Sequence, residues 1–361
     1  MQRGNTQHGQ RICLGVPQEK AGCRDSSGNK RSTMNKGTGN HPGLRCDHLV
    51  LHAPNWLGDV IMAQPAMHAF ASGAQAEKIQ LTGKPWLADI LPWLNLPGAE
   101  YIPEGSHGGD AFVVFPNSFR SAVRAVQSGA KRRIGYRGQW RSLLLSDALT
   151  PRIDMLTGHH RTYFNDLAIF CGIEVKQPEV HLACPDAHIQ AGRQWMQQNG
   201  LDAGNTVCIA PGAQFGGAKR YPAERWAKVA QLLSGRGLHI LALGTPAERE
   251  IAAQVLSSIQ GPCMNSAGST TLAQCLQLLS ASRGLLCNDS GLMHVAAGMG
   301  KQVVTVFGAT DPVRTAPSGP HVHLIYHPAA CSPCLKRECV VAGQPCMANI
   351  APEEVAAAFS E

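Results

Sequence analysis

Aromatic residues are scarce, with Phe, Trp and Tyr together making 6% of the 361 residues. That argues against a platform that stacks nucleic-acid bases. Charge is thin as well, at 16%, and the net of +7 is unevenly placed. Residues 1–47 carry eight Lys/Arg against three Asp/Glu, which leaves the remaining body at +2. A nearly neutral body gives no electrostatic case for nucleic acid as a partner. The 38 glycines follow no three-residue period, which excludes collagen. Residues 1–47 lack a hydrophobic stretch, so no secretory signal is expected. Residues 251–282 hold no charged side chain, yet Gln, Ser, Thr, Asn, Gly and Pro interrupt them too often for a membrane span. A Gly-x-Gly-x-x-Gly turn is missing where the first strand ends, since residues 53–58 read Ala-Pro-Asn-Trp-Leu-Gly; this argues against a nicotinamide-dependent oxidoreductase. A two-lobed exported binding protein would carry the signal that is missing. The expectation is a soluble, cytoplasmic, reduced protein.

At 44% hydrophobic, the chain has enough apolar surface for about two domains. Residues 1–47, rich in Gly, Asn, Arg, Ser and Gln without apolar periodicity, read as a disordered extension. A strand pattern at 48–53 runs into a helix pattern at 60–71, followed by strands at 78–81 and 111–115 and helices near 86–94 and 118–128. The second half repeats this grammar. Strands at 206–210, 239–243, 284–287 and 302–307 alternate with helices at 223–236, 246–259, 271–280 and 292–298. Such alternation predicts parallel βαβ units and an α/β class, in two lobes that meet near 183–187. Ligands of such sheets bind beyond the carboxyl ends of the strands. Among thirteen cysteines, Cys208, Cys275 and Cys287 sit in apolar runs and read as buried small hydrophobes.

Five segments carry candidate chemistry, the first three of them at strand ends. Asn288-Asp289-Ser290-Gly291-Leu292-Met293-His294 joins a strand to a helix whose first-turn N–H groups suit a diphosphate. Its plain reading is an ordinary helix cap with His294 packed beneath. Residues 211–222 form a Gly-rich loop without Walker spacing that delivers Lys219 and Arg220, either toward phosphates or simply into solvent. Asp59 follows Gly58 at the first strand-to-helix turn, as a general base for a hydroxyl or as a plain helix-start acid. A basic stretch contains Arg120, Arg124, Lys131, Arg132, Arg133, Arg137 and Arg141, suited to an anionic acceptor or merely solvated. Lastly, Cys331, Cys334, Cys339 and Cys346 are a candidate zinc set, with free thiols as the alternative.

Taken in order, PNWLGDVIMAQPAMHAF (54–70), FPNSFRSA (115–122), KRRIGYRGQWRSLLL (131–145), PGAQFGGAKRYP (211–222), NDSGLMHVAAGMGKQVVTVFGATDP (288–312) and CSPCLKREC (331–339) resemble the bacterial ADP-heptose:lipopolysaccharide heptosyltransferases, type II members most closely. The resemblance covers residues 48–361. It implies a GT-B fold, two Rossmann-like α/β/α lobes around a cleft, with an acceptor lobe over 48–185 and a donor lobe over 186–361. It implies inverting transfer of heptose from ADP-heptose, with no cofactor required, onto the first inner-core heptose of a lipid A–Kdo acceptor. A type I or protein-directed heptosyltransferase is the alternative within the family, and a non-catalytic nucleotide-binding protein the remote one. On this likeness Asp59 is the base. Lys219, Asp289, Ser290, Gly291 and His294 meet the donor, with Ala213 and Gln214 near its phosphates, Glu248 or Glu250 near its nucleotide, and Thr270 and Thr271 near adenosine. Asn117, Ser118, Arg120, Arg133, Arg137 and Arg141 fall to the acceptor. Ser269 stands where the family pattern has lysine. The same likeness implies peripheral contact with the inner membrane through the basic 120–141 region.

Overall fold

The computed structural model describes residues 43–106 and 108–360. The first lobe runs β1 (Arg45–His52), α1 (Leu57–Gly73), β2 (Gln75–Gly83), α2 (Leu87–Ile90), β3 (Ala99–Pro103), β4 (Ala111–Val114), α3 (Phe119–Gln127), β5 (Arg132–Tyr136), β6 (Asp147–Leu149) and α4 (His160–Phe170). Beyond α5 (Asp186–Gln198) come β7 (Thr206–Ala210), α6 (Ala223–Ser234), β8 (His239–Ala242), α7 (Arg249–Leu256), β9 (Cys263–Asn265), α8 (Leu272–Ala281), β10 (Gly284–Asn288) and α9 (Gly291–Gly298). The remainder is β11 (Gln302–Phe307), α10 (Pro312–Thr315), β12 (Val322–Tyr326), α11 (Pro345–Ala348) and α12 (Pro352–Ala357).

The strands form two six-stranded parallel sheets, ordered β3-β2-β1-β4-β5-β6 and β12-β11-β10-β7-β8-β9. Read from its other edge, the second has the same order as the first, that of a dinucleotide-binding sheet. This is the expected GT-B architecture. In each sheet the direction of winding reverses between the two central strands, β1 and β4 or β7 and β10. The candidate segments at 54–59, 115–118, 211–222 and 288–294 all follow one of those four strands.

The central strands are covered on both faces, which is why they read as unbroken apolar runs. Leu49, Leu51 and Val113 face a core that also takes Cys208, Leu285 and Cys287 of the other lobe, while Val50, Phe112 and Val114 face α3. Val207, Ile209 and Leu286 turn to a separate core with Trp226 and Phe359. Cys208, Cys275 and Cys287 are buried, as expected, and burial pushes their thiols up to about 12. Helix α1 is buried without a break from 60 to 67, including Pro65, as expected of a helix enclosed on all sides. Its buried amide, Gln64, donates to Leu94 O at 3.0 Å and accepts from His181 N at 3.1 Å, tying α1 to the connection between lobes.

The disordered extension expected over 1–47 falls outside the described residues as far as 42. Its final residues are different: Arg45–His52 is strand, and Arg45 pairs with Gln75. The sequence pattern misses β3, β5, β6, α4, α5, β9, α10, β12, α11 and α12 as well. All are short, charged or half-exposed.

Candidate functional site

On the first lobe, the turn after β1 leads through Trp56 into α1 and sets Asp59 in its first turn. Ser118 caps α3, accepting from Ser121 N at 3.1 Å, and so shapes the turn after β4. Between these turns lies a cavity of about 340 Å³ lined by His52, Asn55, Trp56, Lys84, Ser118, Arg120, Ser121 and Arg124. Three of its walls are cationic, and among the described residues Arg124 alone is neutralised nearby, by Glu104 at 2.6 Å. Burial holds the His52 imidazole down at about 4, with Arg124 adding to the effect. Trp56 is exposed and offers a flat apolar wall.

The basic stretch divides in two. Arg120 lines the cavity and Arg137 is exposed, but Arg133 and Arg141 work inside the fold. Arg133 Nε donates to Leu144 O and Nη1 to Ala130 O, each at 2.7 Å. Arg141 is buried; it donates to Pro116 O at 3.1 Å and to Asn117 Oδ1 at 2.6 Å. Asn117 in turn donates to Tyr163 Oη, so its amide is held beneath the turn after β4.

On the second lobe, Lys219 Nζ lies 2.6 Å from Asp289 Oδ2, and Thr310 Oγ1 donates to that same oxygen at 2.6 Å. The ammonium also stands 5.0 Å over the Phe215 ring. Asn288 holds the loop that carries Lys219: its amide donates to Pro211 O at 2.7 Å and Gly212 O at 3.1 Å, while its Oδ1 accepts from Tyr221 N at 2.9 Å. Ser290 occupies the N-cap of α9 without a side-chain cap bond, so it does not consume the first-turn N–H groups.

The nucleotide candidates follow from there. Glu248 is buried beside Gly212, accepting from Thr245 N at 2.8 Å and Thr245 Oγ1 at 2.9 Å. Glu250 is exposed on α7. Ala213 is buried and Gln214 exposed. The Thr271 hydroxyl caps α8, accepting from Gln274 N at 3.2 Å, and Thr270 donates to Ser266 O at 3.4 Å. Ser269 accepts from Arg249 Nη1 at 2.7 Å, so a cation from α7 reaches the place where the family pattern has lysine.

The two half-sites meet where α1 and α9 begin. A Cβ on Gly291 would stand 3.0 Å from Gly58 N and 3.0 Å from Leu57 Cβ, and one on Gly58 would stand 3.3 Å from His294 Cδ2. Glycine at both positions permits this approach. It also brings Asp59, one residue on, close to the turn that opens α9. His294 is buried beneath that contact. Burial, with His159, Lys219 and His160 adding and Asp59 opposing, lowers its imidazole to about 3.

Burial raises the Cys346 thiol, and the other three proposed for zinc, Cys339, Cys331 and Cys334, lie near enough that each helps to raise it, but the four are not grouped as metal ligands. Among the described residues no three of His, Cys, Asp and Glu are grouped to hold a metal ion. Cys331 is exposed, Cys339 Sγ donates to Val341 O at 3.4 Å, and Cys346 is buried beneath Gly308. Meanwhile, Asn288, Trp56 and Thr310 lie inside the segments quoted above but are assigned no role of their own there, and His52, Lys84, His159, His160 and Arg314 are not singled out. Of these, Asn288 alone carried a signal, as the polar residue that ends an apolar strand.

Residues 106–344 match the family described as glycosyltransferase family 9 (heptosyltransferase). The chain is 28% identical over 298 residues to lipopolysaccharide heptosyltransferase 2 of Salmonella typhimurium, covering 74% of this chain and 85% of that protein. Among solved structures it is similar to Escherichia coli ADP-heptose lps heptosyltransferase II, with TM-score 0.70, 25% identity, and 86% and 97% of the two chains covered. A glycosyl transferase family 9 structure from Veillonella parvula shares the fold at TM-score 0.74 and 19% identity, covering 89% and 98%.

Proposed function

Because the chain belongs to glycosyltransferase family 9 and is a glycosyltransferase, we propose that it moves heptose from ADP-L-glycero-D-manno-heptose onto the first inner-core heptose of a lipid A–Kdo acceptor. The observation that carries this reading is the convergence at Gly58 and Gly291, which sets an acid on one lobe against a phosphate-suited turn on the other. The diphosphate lies at the start of α9 beside Lys219, with Glu248 and residues 269–271 toward ribose and adenine. The acceptor enters past Trp56, Lys84, Arg120 and Arg124, whose cations suit carboxylate or phosphate groups.

Asp59 takes the proton of the attacking hydroxyl as its oxygen bonds to the anomeric carbon. The bond from that carbon to the diphosphate breaks, and ADP leaves with the electron pair. Lys219 and the α9 N–H groups stabilise the negative charge that grows on it. Attack and departure occur on opposite faces, so one displacement inverts the anomeric centre. The decisive assay supplies ADP-heptose and a one-heptose lipid A–Kdo acceptor, then reads ADP release and product mass. A lipid heavier by one heptose is expected. Transfer only to the heptose-free acceptor would replace this acceptor with that of a type I enzyme, and no ADP release with either would overturn the reading.

The same reading places the protein at the cytoplasmic face of the inner membrane. Among the described residues no helix is long and apolar enough to cross a membrane. Trp140 and Leu143, 83% and 82% exposed, stand beside exposed Arg137, a combination suited to an anionic lipid surface. Trp140→Asp with Leu143→Asp is expected to cut co-sedimentation with anionic phospholipid vesicles several-fold, while turnover of a deacylated acceptor stays unchanged. Equal retention would remove this loop from membrane contact.

A further inference from the structure

We infer that His160 is a positioning residue for Asp59 and that Arg314, from the opposite lobe, sets its tautomer. The inference rests on the reading of Asp59 as the base. His160 opens α4 with its side chain mostly enclosed, and its Nδ1 stands 3.9 Å from Asp59 Oδ1. Its other ring nitrogen, Nε2, stands 3.3 Å from Arg314 Nη2. A guanidinium has donors only, so this bond requires Nε2 to be the unprotonated nitrogen. The ring proton of neutral His160 then resides on Nδ1, the nitrogen that faces the carboxylate. A shift of about 1 Å makes Nδ1–H a hydrogen bond to Asp59, the kind of tightening that catalytic contacts undergo when substrate binds.

Arg314 is placed for this. Its Nε donates to Met155 O at 2.9 Å, which aims the fork at His160. Met155 and His160 lie on the acceptor side, whereas Arg314 belongs to α10 of the donor lobe. Two neighbouring contacts span the same seam. His159 Nε2–H donates to Ala316 O at 2.9 Å while its Nδ1 accepts from Arg161 N at 3.1 Å, and Arg161 Nη1 donates to Ser318 Oγ. Adjacent histidines are thus held in opposite tautomers, one to latch the lobes and one to face the base. If the lobes separate, His160 loses Arg314, and Asp59 loses a donor that fixes its orientation. Orientation of the base is therefore coupled to closure of the cleft.

Ring-nitrogen NMR of ¹⁵N-histidine-labelled protein tests the tautomer directly, with the His160 signals assigned by their loss in His160→Asn. The Nδ1–H form is expected in the wild type and the Nε2–H form in Arg314→Met. Kinetically, His160→Ala is expected to lower kcat about 10–100-fold, the cost of a loosely held catalytic group, with both KM values within about threefold. His160→Asn, whose amide N–H reaches the place of Nδ1–H, should recover most of that loss. In an Asp59→Asn background, His160→Ala should cost nothing further. An Nε2–H tautomer in the wild type, an undiminished kcat in His160→Ala, or His160→Asn as poor as Ala at an unchanged melting temperature would each overturn the inference. The tautomer is read without turnover, so an inactive wild type would count against the proposed reaction and leave this result to stand by itself.

Discussion

Asp59→Asn is expected to lower turnover by about 10²–10⁴, the usual contribution of a positioned general base, while ADP-heptose affinity stays within about threefold. The amide matches the carboxylate in size, so α1 keeps its start and Gly58 its contact with Gly291. What is lost, in the proposed reaction, is the acceptor for the hydroxyl proton. The proposed donor side is untouched, because Lys219, Asp289 and the start of α9 all belong to the other lobe. Single-turnover ADP release together with calorimetric titration of ADP separates the two quantities. Near-normal turnover would remove Asp59 from the role of base. An equal loss in donor affinity would instead assign it to binding.

The sequence disclosed the strand ends better than it disclosed what stands around them. β7 and β11 lie within the expected ranges because both run through cores covered on two faces, and such strands are written as apolar runs. The turns that follow β1, β7 and β10 were therefore legible, and with them Asp59, Lys219 and residues 288–294. By contrast, α4 was invisible because its cap is His159 rather than Ser, Thr, Asp or Asn. β5 was hidden by Arg132 and Arg133, which made its start look like surface. In the fold, Arg132 pairs with Asp147 at 3.1 Å and Arg133 binds backbone carbonyls, so these cations hold a strand pair together. The Arg314–His160 contact joins residues 154 positions apart, and only tertiary placement reveals it. Single-residue chemistry at strand ends could be read from order along the chain; pairing across the cleft could not.

Lys219→Met carries the other large effect, and it separates two tasks of one ammonium. The first is to neutralise Asp289, which is 6% exposed and keeps only the Thr310 hydroxyl of its two partners once the lysine is gone. Removing one member of a buried pair costs about 3–5 kcal/mol, and the lower end applies here because the lysine retains some contact with water. The second, in the proposed reaction, is to stabilise charge on the departing diphosphate, where loss of a preorganised donor costs about 10²–10³ in rate. Lys219→Met should therefore lower both the melting temperature and kcat/KM. Adding Asp289→Asn removes the stranded charge, so the double variant should regain most of the melting temperature and none of the rate. Thermal unfolding and steady-state ADP release on the two variants test this. Recovery of the rate in the double variant would mean that the lysine serves the reaction only by balancing Asp289, and the leaving group would then depend on the α9 N–H groups alone.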